Sequence, residues 1–108
     1  MAFTNKQLGQ AEGTTSPASI YSPAAGVGII RQITICNHEA SACAYGIWLD
    51  NDGTTYTDAT VQFEDVTIAA NTTVLLDVYW PIDSTGNLAV KAADASTLTF
   101  TVNGAEIT

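Results

Sequence analysis

The sequence predicts an all-β fold: a single-domain, two-sheet antiparallel β-sandwich or jelly roll with an extended N-terminal arm. Three observations predict it. From Gly28 onward, apolar residues recur with period two in one short run after another. Clusters of Gly, Asn, Asp and Pro separate those runs. No apolar stripe of period 3.6 reaches the length of a helix. The 108 residues suffice for one compact core and are too few for two.

Residues 1–26 differ from the rest of the chain. They are polar, hold Gly9, Gly13, Pro17 and Pro23, and lack sustained periodicity. They read as an extended arm preceding a sandwich domain at residues 27–108, with simple disorder as the competing reading. A short strand at Ser19–Ser22 fits only a sheet edge, because Ile20 and Tyr21 lie between the two prolines. Phe3, Leu8, Ile20 and Tyr21 are the arm's apolar anchors. Too sparse to order the arm alone, they are the candidate partner-binding residues, able to dock on a neighbouring sheet edge or groove. Removal of residues 1–18 is therefore expected to leave a folded β domain that assembles less well.

In the first strand Ile29, Arg31, Ile33 and Ile35 fall on one face, and Ile30, Gln32, Thr34 and Cys36 on the other. Asn37–Ala42 is a short polar link suited to a hairpin. Next, Cys43, Tyr45, Ile47 and Leu49 alternate with Ala44, Gly46 and Trp48. Asp50-Asn51-Asp52-Gly53 is a turn, since Asn, Asp and Gly tolerate left-handed backbone angles. Val61, Phe63 and Ile68 belong to a strand ending at Ala70-Asn71, with a helical turn as an alternative within Asp58–Val66. Then Val74, Leu76, Val78 and Trp80 face one way, and Thr73, Leu75, Asp77 and Tyr79 the other, until Pro81 stops the ladder. A loop around Gly86 leads to Leu88–Lys91. Leu98, Phe100 and Val102 form a final long strand that Asn103-Gly104 closes, with a further short pairing at Ala105–Thr108. Ile33, Ile35, Ile47, Leu76, Trp80, Phe100 and Val102 are the expected shared core.

Composition bounds the partners. Charged residues make up 13% of the chain, about half the usual share. The surface is therefore built from short, mostly uncharged side chains, which lose little rotamer entropy when another protein covers them. Three bases, Lys6, Arg31 and Lys91, stand against eleven acids, for a net charge of -8. Phosphate binding needs clustered cations, so nucleic acid is not an expected partner, and an anionic membrane would repel the chain. No apolar run reaches spanning length, and the N-terminus lacks signal-peptide zones, so synthesis in the cytosol is expected.

Reactive residues are few. Cys36, His38 and Cys43 suggest zinc, but a tetrahedral site usually takes four ligands and no second His exists. If the link closed as a symmetric hairpin, Cys36 and Cys43 would face each other at disulfide distance, although a cytosolic origin favours two small buried thiols. His38 has no nucleophile elbow to serve. Asp50-Asn51-Asp52-Gly53 lacks the spacing and closing Glu of an EF-hand, which leaves calcium only in an unrelated loop geometry. Glu64 and Asp65 are neighbours on a strand and point to opposite faces, so they do not form an acid–base pair. Trp48, Trp80, Tyr79 and Tyr56 read as core, with a sugar-stacking platform as the alternative. No catalytic, cofactor-binding or metal-binding residue is assigned.

Several phrases, in order along the chain, carry a resemblance: Leu8-Gly9-Gln10, Tyr21-Ser22-Pro23-Ala24, Ile35-Cys36-Asn37, Ile68-Ala69-Ala70-Asn71-Thr72-Thr73, Leu98 to Phe100, and Gly104-Ala105-Glu106-Ile107. Together they resemble small β-sandwich virion proteins from the structural gene blocks of tailed bacteriophages. The resemblance implies a non-enzymatic structural protein of the virion, either a capsid decoration (cement) protein or a tail fibre, neck or other tail accessory protein that binds a host-surface glycan. It also implies partners such as the major capsid protein, a homo-oligomeric and by preference trimeric state, and no cofactor.

Overall fold

The computed structural model describes residues 3–107. Eight strands succeed one another: β1 (Phe3–Glu12), β2 (Ala18–Tyr21), β3 (Val27–Asn37), β4 (Cys43–Asp50), β5 (Val61–Ile68), β6 (Thr73–Asp83), β7 (Asn87–Ala92) and β8 (Leu98–Ile107). They form two antiparallel sheets, ordered β1-β8-β3-β6 and β2-β7-β4-β5. The nesting is regular: β1 pairs with β8, β2 with β7, β3 with β6 and β4 with β5. Successive nested pairs alternate between the two sheets, which is the topology of a jelly roll.

The core lies between the sheets. Ile33, Ile35, Ile47, Phe100 and Val102 are fully enclosed there, as expected, and Leu76 and Trp80 pack against them half-buried. Ile30, Ile68, Ile82, Leu88 and Leu98 complete the enclosed set. Each such side chain contributes roughly 1.5–3 kcal/mol by leaving water.

Five local expectations need correction. The first concerns the division at residue 26. Phe3–Glu12 run antiparallel along β8 and Ala18–Tyr21 pair with β7, so the first 26 residues supply one edge strand to each sheet. Alternation is weak in both strands because an edge that meets water on its outer side needs few apolar residues.

The second concerns the face of β3. Ile29 and Arg31 do not share a face with Ile33 and Ile35. A register shift between Ile30 and Gln32 moves the inward set from Gly28 and Ile30 to Ile33 and Ile35. A bulge inserts one residue and thereby reverses the alternation beyond it.

The third is the link 38–42, which is not a hairpin, because β3 and β4 lie in different sheets. Buried Asn37 holds the crossing: its Nδ2 donates to the carbonyls of Ser41, Ile68 and Ala69, and its Oδ1 accepts from the Glu39 amide. Cys36 accordingly lies beside Thr73 and Thr99, Cys43 lies beside Ile68, and both thiols are free.

The fourth is Pro81, which does not end the ladder. It sits opposite Ile29 on β6, an edge strand that has an unpaired side where a missing N–H is harmless. The fifth is Asn103-Gly104, which lies inside β8. A Cβ at Gly104 would collide with the Ile29 carbonyl oxygen, so glycine permits the close backbone approach by which β8 runs on unbroken past the bulge in β3. Of the expected pairing at Ala105–Thr108, Thr108 lies outside the described residues.

Candidate interaction surface

The outer face of the β1-β8-β3-β6 sheet is defined by the inward set. With Ile33 and Ile35 pointing into the core, Gln32, Thr34 and Cys36 point out. Register places Thr34 between Thr101 and Leu75, and Cys36 between Thr99 and Thr73. Gln10 on β1 extends the first row by a hydrogen bond from its Nε2 to Thr101 Oγ1, 3.0 Å. This half of the face is built largely of short, β-branched side chains, with the carboxylates of Glu12 and Asp77 at its two edges.

Beyond the bulge the face becomes apolar. Val27 lies between Ile107 and Asp83, Ile29 lies between Ala105 and Pro81, and Phe3 adjoins Ile107. Phe3 and Tyr79 are each 62% exposed, and Leu75 is 54% exposed. The Arg31 guanidinium sits over the Tyr79 ring at 5.6 Å from its centroid, a cation–π distance. Among the described residues no carboxylate lies within ion-pair distance of Arg31.

The four sequence-derived anchors are placed differently from one another. Tyr21 is buried, Leu8 and Ile20 pack half-buried against the core, and Phe3 stands on the outer face. Tyr21 also belongs to a clasp between the sheets. Its hydroxyl donates to Glu106 Oε2 at 2.7 Å, while Lys6 Nζ donates to Glu106 Oε1 at 3.1 Å. Burial first, and then the neighbouring Glu106 carboxylate, push the Tyr21 hydroxyl well above its ordinary pKa. The hydrogen bonds from Tyr21 and Lys6 hold the Glu106 carboxyl below its ordinary value. Gly28 leaves the room that the Tyr21 ring occupies.

At the loop end, Asp50 closes the predicted turn. Its carboxylate accepts the amides of Thr55 at 2.6 Å and Asp52 at 3.1 Å, and these bonds lower its pKa. Both Asp50 oxygens are thus engaged by backbone. No group of three His, Cys, Asp or Glu side chains is placed to hold a metal among the described residues. His38 is exposed, 3.6 Å from Glu39. Glu64 and Asp65 are both solvated, with Asp65 in a left-handed conformation where β5 departs from regular pairing.

The aromatic residues do not assemble into a platform. Trp48 is buried on the second sheet with its ring across Gly46, whereas Trp80 is on the first sheet and packs against Phe63. Tyr79 is exposed on the opposite face of β6 from Trp80, and no pocket opens among the described residues. Sequence reasoning missed the Arg31–Tyr79 pair and the apolar end of the face. Each of their strands alternates legibly, but which residues lie side by side depends on strand order and on the bulge.

No protein-family model matches this sequence, and no curated protein matches it. Solved structures do match in fold. Over 94% of its length the chain superposes on part of a chain from the structure of infectious bursal disease virus Gx strain, with TM-score 0.52 and 10% identity, covering 32% of that chain. A chain of the T13 infectious bursal disease virus particle gives TM-score 0.51 at 10% identity, with 94% of this chain and 30% of that one covered. The Tobacco streak virus coat protein superposes more loosely, with TM-score 0.45 at 8% identity over 99% of this chain and 87% of that one. The chain thus spans about a third of the length of the virus-particle chains it matches, and what it shares with them is the all-β sandwich fold.

Proposed function

We propose that this chain is a non-enzymatic structural protein of a virion, and that it acts as a decoration or cement protein bound to the head shell of a tailed bacteriophage. The observation that carries the reading is the outer face of the β1-β8-β3-β6 sheet: broad, apolar at one end, and threonine-rich at the other, where short side chains lose little entropy when covered. The jelly roll by itself serves lectins and cupins as well as capsids. Two further facts favour assembly: the fold match to chains of a virus particle, and a body without a pocket among its described residues. In mechanism, binding energy replaces chemistry. Each copy would bridge neighbouring shell subunits and resist internal pressure by adding contact area across their seams. The tail and glycan-binding alternative would need exposed stacked aromatics, and Trp48 is buried while Trp80 faces the core.

An electron-microscopy map of the purified virus particle that encodes the chain tests this. Jelly-roll density at symmetry-related sites on the outer shell is the expected result. Density confined to the tail, or absence of the chain from the particle, would overturn the decoration role.

A further inference from the structure

We propose that a second copy of this chain docks, two-fold related, on the outer face of the β1-β8-β3-β6 sheet at the end carrying Phe3, Val27, Ile29 and the Arg31–Tyr79 pair. Arg31 is one of three bases in a chain with net charge -8, yet it rests on an exposed tyrosine with no carboxylate in ion-pair distance among the described residues. Exposed Asp77 lies two residues from Tyr79 on the same face of β6. A simply basic partner would satisfy Asp77 and repel Arg31, and a simply acidic one would do the reverse. A surface that suits both carries a base and a carboxylate side by side. Another copy carries them, and a two-fold axis between the two groups sets Arg31 of each copy against Asp77 of the other.

Apolar contact supplies the rest. Phe3, Val27 and Tyr79 are exposed around this pair, and tyrosine and arginine are the residue types enriched where interfaces carry their energy. The long faces of a body 45 × 26 × 18 Å are large enough to hold the roughly 800 Å² per partner that a standard interface buries. Docking through the face is favoured over pairing along the β6 edge, where Pro81 lacks an N–H and the register breaks near Arg31. For this surface a two-fold contact replaces the trimer that the resemblance implied. Such self-association concerns the chain alone in solution and does not depend on the virion reading, although a second copy at this end and a shell subunit would compete for the same face.

Sedimentation of the full chain over micromolar to millimolar concentrations is the test. A reversible monomer–dimer equilibrium is expected, with Arg31→Glu and Asp77→Arg each raising the dissociation constant at least about tenfold. The charge-swapped double variant, Arg31→Asp with Asp77→Arg, should recover dimerisation. Circular dichroism checks folding, and if a reversal unfolds the chain, Arg31→Gln and Asp77→Asn are read in the same way. A monomer throughout, a trimer, or a dimer indifferent to these substitutions would each overturn the proposal. The particle map reports separately on the virion reading.

Discussion

Glu106 accepts hydrogen bonds from a tyrosine of the opposite sheet and a lysine of the neighbouring strand, and its charge strengthens both bonds. Asp50 and Asp83 likewise accept backbone amides or a threonine hydroxyl and titrate below their ordinary values. A carboxylate with a lowered folded pKa contributes stability that is present above its unfolded value and is lost as pH falls through the folded one. The thermal midpoint should therefore be flat near neutrality and fall below about pH 4. Glu106→Gln should shallow that decline and lower the neutral-pH midpoint. An identical acid profile for wild type and Glu106→Gln would mean that the clasp contributes nothing to stability. Tyr21 adds nothing in this range, because its raised pKa keeps it neutral throughout.

At the scale of elements, β1 and Gly104 show how an edge strand and a bulge depend on each other. β1 lies along β8 on both sides of a register shift between Gln7 and Gly9, while β8 passes the Ile29 carbonyl at Gly104. Removing residues 1–12 would strip β8 of this partner and uncover the core beside Leu8. That changes the expectation formed from sequence for an arm: the shortened chain should unfold at a lower denaturant concentration, with a smaller m-value because less surface is buried. An unchanged midpoint would mean that β1 pairs too weakly to count in the fold. Gly104→Ala tests the bulge from the other side and should destabilise, since the added Cβ meets backbone that cannot swing away.

For the molecule as a whole, the nested pairing makes the two sheets one cooperative unit. β3 and β8 sit inside one sheet, β4 and β7 inside the other, and every connection between nested levels crosses from sheet to sheet. Phe100 lies at the centre of this arrangement, fully buried on β8. Truncation to alanine should cost roughly 3–5 kcal/mol, a large share of the stability of a domain this size. Tryptophan fluorescence and circular dichroism should track a single shared transition in both proteins, because Trp48 and Trp80 report on opposite sheets. Separate transitions, or an unchanged midpoint in Phe100→Ala, would contradict the single core.

The all-β class, the strands from β3 to β8 and the core set from Ile33 to Val102 were legible in the sequence. Period-two alternation records burial on one face of a strand, and Asp50–Gly53 and Ala70-Asn71 mark where chains must turn. The placement of the first 26 residues was not, because solvent-facing edge strands such as β1 need little apolar patterning. Nor could alternation reveal that Ile30 faces inward along with Ile33: one bulged residue reverses the phase, and it shows only in the pairing of β3 with β6 and β8. The hairpin expected between Cys36 and Cys43 failed for a related reason. A short polar link looks the same whether it joins neighbours or crosses layers, and only the contact of Asn37 with the carbonyls of Ile68 and Ala69 decides between them. The proposed interaction surface belongs wholly to tertiary structure, since Phe3, Val27, Arg31 and Tyr79 come from three strands and share one face through strand order and the bulge.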